Sequence, residues 1–226
     1  MVIADIKPLD EIKQLLKGYK KVLNTGCGGC TSVCLAGGQK EVDTLNTKLA
    51  LSFQADQVSI EIEGFTVERQ CEGEFLKEFD RRVGKYDALL SMACGAGIQF
   101  LAERYHDKPV FPAVDTTFVG VNKDIGWYEE RCKCCGECVL GLTGGICPVS
   151  MCAKSLFNGP CGGPQGESCE VSKDIPCAWV AIHKRLKAQN RLDNILKIHG
   201  PRDWRDQVQG RLILEPYKER YAAPAK

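Results

Sequence analysis

Long apolar runs are absent from this sequence, and no stretch approaches the roughly 20 residues that a membrane-spanning helix needs. An excess of charge of either sign is also absent, because 30 lysines and arginines are matched by 29 aspartates and glutamates. A near-neutral chain has no electrostatic signature of binding to nucleic acid or to an anionic membrane. We therefore expect the 226 residues, 44% of them hydrophobic, to form a globular protein that neither enters membranes nor binds nucleic acid.

Histidine is scarce, and no catalytic motif stands out. The three histidines, His106, His183 and His199, belong to no recognisable pattern, and a lone helical histidine is typically a surface or capping residue. No phosphate-binding loop or dinucleotide fingerprint follows a predicted strand. We therefore predict no catalytic residue in this chain, and we interpret it as a subunit that serves an active site elsewhere.

Cysteine, in contrast, is abundant, with 14 in the chain. The N-terminal segment has early acidic residues and no apolar core of the kind that secretory signal peptides carry, which predicts a cytoplasmic location. In a reducing compartment, cysteines at this density indicate metal binding and not a disulfide framework.

Residues 1–126 are predicted to form an α/β domain, because short apolar segments alternate there with helical ones after a helix within residues 1–20. The predicted strands lie at 20–26, 57–70, 86–93 and 109–120, and the predicted helices at 36–52, 72–84 and 95–107. Such alternation favours a doubly wound parallel sheet with right-handed crossovers. Sheets of this kind bind ligands at the carboxyl ends of their strands.

Residues 127–226 are predicted to form a second domain of different character. Nine cysteines lie between positions 131 and 177, among many glycines and few apolar residues. Such a segment buries little apolar surface, so we expect bound metal to stabilise it. A C-terminal helix is predicted from Asp174, as its N-cap, to Gly200, and residues 201–226 are expected to be a tail that packs on a partner.

Four cysteines of the first domain follow three different predicted strands. Cys27 and Cys30 form a C-x2-C turn after the first strand, Cys71 follows the second, and Cys94 follows the third. Because these strand ends meet at one edge of the sheet, we predict that the four thiolates hold one 4Fe–4S cluster. Cys34 is an alternative to Cys30. The competing interpretation is a C-x2-C redox pair, with Cys71 and Cys94 as buried core thiols.

The second domain carries a ferredoxin-like run with altered spacing. Cys132, Cys135 and Cys138 reproduce a C-x2-C-x2-C pattern, and Cys147 precedes a proline as the closing cysteine of ferredoxins does. The gap before Cys147 is longer than in a bacterial ferredoxin, so this is not a ferredoxin module.

Cys152 and Cys161 complete the predicted ligands of the second domain, which hold another 4Fe–4S cluster, a structural zinc ion, or both. Nine cysteines exceed the four that a single site needs, and they could serve two sites with one left over. The roles of Cys134, Cys169 and Cys177 stay open.

The stretch from Trp127 to about Tyr217, with CKCCGECVLGLTGGICPVSMCAKSLFNGPCGG, resembles the methylenetetrahydrofolate reductase C-terminal domain family. The upstream motifs LNTGCGGCTSVC and SMACGAG resemble the rest of the small accessory subunit that carries this domain. The first domain is also similar to the small subunit of nickel–iron hydrogenases, whose flavodoxin-like sheet holds a proximal cluster. The expected fold is therefore a flavodoxin-like α/β domain, a cysteine-rich metal-stabilised region and a C-terminal helix.

The resemblance implies an iron–sulfur subunit with one or two 4Fe–4S clusters, and zinc as a further candidate metal. It implies binding to the flavin-containing methylenetetrahydrofolate reductase of anaerobes such as acetogens, with electrons relayed to that flavin from a ferredoxin or another donor protein. The folate and flavin sites would belong to the partner. Two rival functions stay open, which are a structural zinc scaffold in a one-carbon enzyme complex and a stand-alone oxidoreductase with its substrate at a cluster.

Overall fold

The structure is a computed structural model that describes residues 1–201, 210 and 212–221. Its internal contacts divide the chain into two compact units, Met1–Glu130 and Arg131–Lys226. Most of the predicted tail at 201–226 lies outside the described residues. Among the helices of the described part, none is long and apolar enough to cross a membrane.

The first unit is built on a parallel four-stranded sheet, as the alternation of strands and helices predicts. Its strands are β2 (Lys21–Cys27), β3 (Glu61–Val67), β4 (Ala88–Ser91) and β5 (Val110–Pro112). Their order in the sheet is β3-β2-β4-β5, and every neighbouring pair is parallel. The central strands β2 and β4 are buried almost throughout, which explains why they read as continuous apolar runs instead of alternating ones.

Helices cover the sheet on both faces. They are α1 (Leu9–Leu15), α2 (Cys30–Val33), α3 (Gln39–Ala55), α4 (Gly73–Leu76), α5 (Asp80–Val83) and α6 (Gly95–Arg104). Successive strand residues point to opposite faces, and accordingly Leu90 packs in a core cluster with α1 and α3 while Leu89 packs in a second cluster with α4 and α6. The helix predicted at 72–84 lies at the predicted position, but a 3-10 turn at Lys77–Phe79 divides it into α4 and α5.

A separate sheet contains β1 (Val2–Ile6), β6 (Val114–Asp124) and β7 (Trp127–Cys132), with β6 in the middle and β1 antiparallel to it. Two predictions are wrong here, since β1 was not foreseen and the single strand at 109–120 is two strands. The break lies at Ala113, whose N–H donates to Ser91 of β4 while its carbonyl accepts from Lys7 next to β1. The chain therefore crosses from the parallel sheet to the sheet of β1, β6 and β7 at this single residue.

The second unit has little regular structure. It contains α7 (Pro148–Met151), β8 (Ser168–Cys169), β9 (Ser172–Pro176), α8 (Ala178–Ala188) and α9 (Lys218–Tyr221), with 3-10 turns at Leu192–Leu196 and Glu215–Tyr217. Strands β8 and β9 form an antiparallel hairpin. Among the described residues of this unit, the core cluster has four buried members, Ile146, Trp179, Ile182 and Leu186.

The predicted C-terminal helix exists, but both of its predicted ends are wrong. Asp174 lies in β9, and Cys177 is the N-cap of α8. The helix stops at Ala188 because Asn190 adopts the left-handed conformation, with φ of 54°. The N–H groups of Asn190 and Arg191 then bond back to the carbonyls of Lys187 and Leu186, which is the Schellman arrangement that ends helices.

Candidate metal centres

The carboxyl edge of the parallel sheet collects four cysteines in the first unit. Cys27 is the last residue of β2, and Cys30 begins α2 just after it. Cys94 is the N-cap of α6, directly after β4, and Cys71 follows β3. Because β3, β2 and β4 are parallel neighbours, their carboxyl ends share this edge.

The four thiols are close enough to influence one another electrostatically. Burial raises the pKa of Cys71, and negative charge on Cys27, Cys94 and Cys30 raises it further. Mutual repulsion of this kind favours the occupation of such a cluster by a cation, which holds several thiolates together. Within the described residues, no three cysteine, histidine, aspartate or glutamate side chains are yet arranged in the geometry of a metal site. The role of these thiols as ligands therefore stays a prediction.

A buried glutamine fastens the Cys71 segment to the ends of β2 and β4. The side-chain amide N–H groups of Gln70 donate to the carbonyls of Thr25 and Gly26, both at 2.9 Å. Its carbonyl oxygen accepts from the Ser91 hydroxyl at 2.8 Å. Gln70 is fully buried, so these three bonds fix the position of Cys71 relative to the strands that carry the other cysteines.

The glycines between Cys27 and Cys30 allow a close approach of two backbone segments. The Gly28 N–H donates to the carbonyl of Val67 at 2.8 Å. A Cβ atom on Gly28 would lie 3.3 Å from the Glu68 carbonyl oxygen. A side chain at Gly28 would thus crowd the backbone of the segment that leads to Cys71.

Cys34 occupies a different environment from the other four thiols. It is buried in the apolar core, with its sulfur 3.6 Å from the Ala4 carbonyl oxygen and 3.5 Å from that of Thr31. Burial raises the pKa of this thiol. A neutral thiol that donates to core carbonyls is a poor metal ligand, so the structure favours Cys30 over Cys34 in the cluster of thiols at the sheet edge.

In the second unit, the ferredoxin-like run begins where β7 ends. The N–H of Cys134 donates to the sulfur of Cys132 at 3.3 Å, and Cys134 itself has a positive φ of 51°. The hydroxyl of Ser150, in α7, donates to the carbonyl of Arg131 at 2.9 Å. Since Cys147 is the N-cap of α7, this bond holds the segment after Cys147 against the residue before Cys132.

A second set of thiols surrounds a small cavity elsewhere in this unit. The cavity has a volume of about 10 Å³, and four cysteines line it: Cys152, Cys161, Cys169 and Cys177. None of the cysteines between 132 and 147 lines this cavity. The structure therefore groups Cys152 and Cys161 with two cysteines to which the sequence assigned no role. Spacing alone could not find this set, because Cys169 becomes a neighbour of Cys177 only through the β8–β9 hairpin.

The exposed cysteines of the second unit differ in acidity. A hydrogen bond from the backbone N–H of Gly163 is the main cause of the lowered pKa of Cys161, and the nearby Lys154 ammonium, 3.8 Å from the sulfur, lowers it further. The pKa of Cys134 is raised, first by its partial burial and then by negative charge on Cys132 and Cys135.

One cavity of the first unit lies far from the cysteines. It has a volume of about 420 Å³ and is lined by residues at the end of α1 and the end of α3, among them Lys13, Phe53 and Asp56. Helix α3 begins beside the sheet edge that carries Cys27 and runs for 17 residues, or about 25 Å. This cavity is therefore not part of the candidate metal centre.

Comparison with known families gives one match. Residues 111–205 match a family described as the C-terminal part of methylenetetrahydrofolate reductase. This confirms the predicted resemblance for that segment, which contains every cysteine of the second unit. No curated protein and no solved structure matches the chain significantly. The four cysteines at the sheet edge lie outside the matched segment.

Replacing Gln70 by alanine is expected to destabilise the first unit by about 2–3 kcal/mol, because buried carbonyl and hydroxyl groups lose their partners. Urea denaturation of the full chain measures this loss. The matched control is Gln39→Ala, since the Gln39 side chain is exposed and bonds only to Asp43, and its effect should stay within about 0.5 kcal/mol. Equal effects of the two substitutions would contradict the role of Gln70 in holding the Cys71 segment against β2 and β4.

The thiol of Cys161 should react with iodoacetamide at a lower pH than that of Cys134 in the reduced, metal-free chain. The thiolate is the reactive form, and the lowered pKa of Cys161 makes it available before the Cys134 thiol, whose pKa is raised. Mass spectrometry of peptides labelled across a pH series measures both profiles. The opposite order would contradict the assigned environments.

Proposed function

We propose that the chain is the electron-transfer iron–sulfur subunit of a methylenetetrahydrofolate reductase complex. The observation that carries this proposal is the meeting of Cys27, Cys30, Cys71 and Cys94 at one sheet edge, combined with the match of residues 111–205 to a reductase-associated family. Four thiols that approach from three loops are typical of a bound 4Fe–4S cluster. A C-x2-C redox pair would not need Cys71 and Cys94 at the same edge.

The strand order supports a flavodoxin-like first domain. Counted from β2, the order β3-β2-β4-β5 corresponds to 2-1-3-4, which is the order of the first four strands of a flavodoxin-like sheet. The cysteines follow β2 and β4, between which the order reverses. Ligands of doubly wound sheets bind at such switch points.

The residues at the sheet edge fit a 4Fe–4S cluster. The cluster would be held by the four thiolates and would supply one-electron redox chemistry. Cys94 caps the ten-residue helix α6, whose positive end favours the negative charge of the assembled thiolates. Gln70 and the close contact at Gly28 hold the three cysteine-bearing loops in fixed positions. The loops would therefore rearrange little when the cluster gains or loses an electron.

The second unit supplies the other proposed metal ligands. Cys132, Cys135, Cys138 and Cys147 form the ferredoxin-like set, and Cys152 and Cys161 are the remaining predicted ligands. The small apolar core of this unit supports the idea that metal binding provides part of its folding free energy. All fourteen cysteines lie within the described residues and are free thiols there, so each of them is available to bind metal.

The partner in this proposal is the flavin-containing reductase subunit, which would carry the folate and flavin sites. A ferredoxin or another donor protein would deliver electrons to this chain. No residue of this chain is assigned a catalytic role. A structural zinc scaffold in the same kind of complex is the rival function, and it is favoured by the atom-sized cavity between thiols in the second unit.

Cys94→Ala should remove one cluster from the anaerobically purified full chain. The wild-type chain is expected to contain about eight irons, and the variant about four fewer, because a 4Fe–4S cluster needs four thiolates. Iron and acid-labile sulfide assays measure this. The matched control is Cys34→Ala, which removes a core thiol and should leave the iron content unchanged. Zinc without iron in the wild-type chain would establish the scaffold function instead.

The reduced chain should pass electrons to the flavin of its partner. After reduction with dithionite and removal of the excess, anaerobic mixing with the flavin-containing reductase subunit should bleach the flavin absorbance. Cys94→Ala should slow this bleaching, whereas Cys34→Ala should not. Reduction of methylenetetrahydrofolate by the purified chain alone would contradict its role as a subunit without an active site.

A further inference from the structure

The cavity between Cys152, Cys161, Cys169 and Cys177 is a site that the ferredoxin-like run does not explain. With these four thiols assigned together, the nine cysteines of the second unit divide into two sets of four. The other set is the run of Cys132, Cys135, Cys138 and Cys147, and Cys134 is the one left over. We propose that the cavity between the four thiols is a structural zinc site.

Two of the thiols are brought together by the β8–β9 hairpin. Cys169 pairs with Ser172 and Ser168 pairs with Pro176, so the chain returns to the start of β8 just before Cys177. The N–H of Cys177 donates to the carbonyl of Glu167 at 2.8 Å, which closes this loop. The hairpin is only a few residues long and has little core of its own, so a shared ligand would stabilise it.

The other two thiols flank a segment that is held against the first turn of α8. The Trp179 indole N–H donates to the carbonyl of Leu156 at 3.0 Å, and Trp179 is buried. A Cβ atom on Gly159 would lie 2.4 Å from the same indole, so the segment packs directly on the ring. Cys152 and Cys161 lie on either side of this contact, and Trp179 itself lines the cavity.

The charges around the cavity suit a group of thiolates. The Lys154 ammonium lies 3.8 Å from the Cys161 sulfur and also pairs with the Glu170 carboxylate. Cys177 is the N-cap of the 11-residue helix α8, so it lies at the positive end of the helix dipole. Glu170 lines the same cavity and pairs with Lys154, so this lysine is already partly neutralised. The helix N-terminus is left to offset the excess negative charge of four thiolates around one divalent ion.

The size of the cavity favours a single ion over a cluster. A volume of about 10 Å³ is close to the minimum that holds one water molecule. A 4Fe–4S cluster has eight core atoms, whereas zinc bound by four thiolates is one atom with sulfurs about 2.3 Å away. Within the described residues the four thiols are not arranged as a metal site, so zinc binding would require their sulfurs to move together.

Metal analysis of the anaerobically purified full chain tests this assignment. The wild-type chain should contain about one zinc, and Cys169→Ser and Cys177→Ser should each lose it while their iron content stays at the wild-type value. The matched control is Ser172→Ala in the same hairpin, which removes a hydroxyl and no thiol and should keep the zinc. Unchanged zinc in both cysteine variants, or loss of about four irons in place of zinc, would overturn the proposal.

Labelling of the wild-type chain gives a second test that does not depend on how well the variants fold. In the native chain the four thiols should be protected from iodoacetamide, and removal of zinc with a chelator should expose them together. Labelling before the chelator is added would overturn the proposal. The assignment does not depend on electron transfer, because a chain with zinc at this site and no iron would refute the proposed function and leave the zinc site intact.

Discussion

The carboxyl edge of the parallel sheet is the constraint on which the first unit depends. Loops from β2, β3 and β4 must meet there, and a single buried side chain, Gln70, bonds to the ends of two of these strands at once. A buried amide that makes three hydrogen bonds restricts the position of its backbone segment more strongly than apolar contacts do. If the amide moves, its buried partners lose their hydrogen bonds and cannot replace them with bonds to water. Four cysteines from distant parts of the chain become neighbours as a result.

The second unit is organised by a different principle. Its apolar core is small, and its turns depend on glycines, on a hairpin and on the packing of Trp179 against the backbone at Gly159. Structures with so little buried apolar surface rarely fold without cross-links or metal. A shared cavity lined by four thiols is what such a unit needs if metal ions are to replace the missing core.

The two units also differ in what they share with known proteins. The match to the methylenetetrahydrofolate reductase C-terminal family spans residues 111–205 and leaves out the cysteines at the sheet edge. The reductase association therefore rests on the second unit and the end of the first, whereas the proposed one-electron chemistry rests chiefly on the cysteines that precede the matched segment. The function we propose combines the family match with the predicted cluster at the sheet edge.

Local patterns predicted most of the first unit. Apolar runs and helical spacing located β2, β4, α3 and α6 within a few residues, because these elements are long or buried throughout and their periodicity is strong. The same reasoning missed β1, which has five residues and is defined only by its pairing with β6. It also extended α8 in both directions, since the strand conformation of Asp174 and the left-handed Asn190 arise from the hairpin and the helix end around them.

The sequence by itself predicted thiolate–metal chemistry, because the count and spacing of cysteines indicate what thiolates bind without knowledge of the fold, and this stays a prediction. It also determined that Cys27, Cys30, Cys71 and Cys94 follow strands, which was enough to predict their meeting. Only the tertiary structure decided that Cys34 belongs to the core and that Cys152 and Cys161 share a cavity with Cys169 and Cys177. Side chains far apart in the chain are brought together by hairpin pairing and packing, which spacing along the chain does not encode.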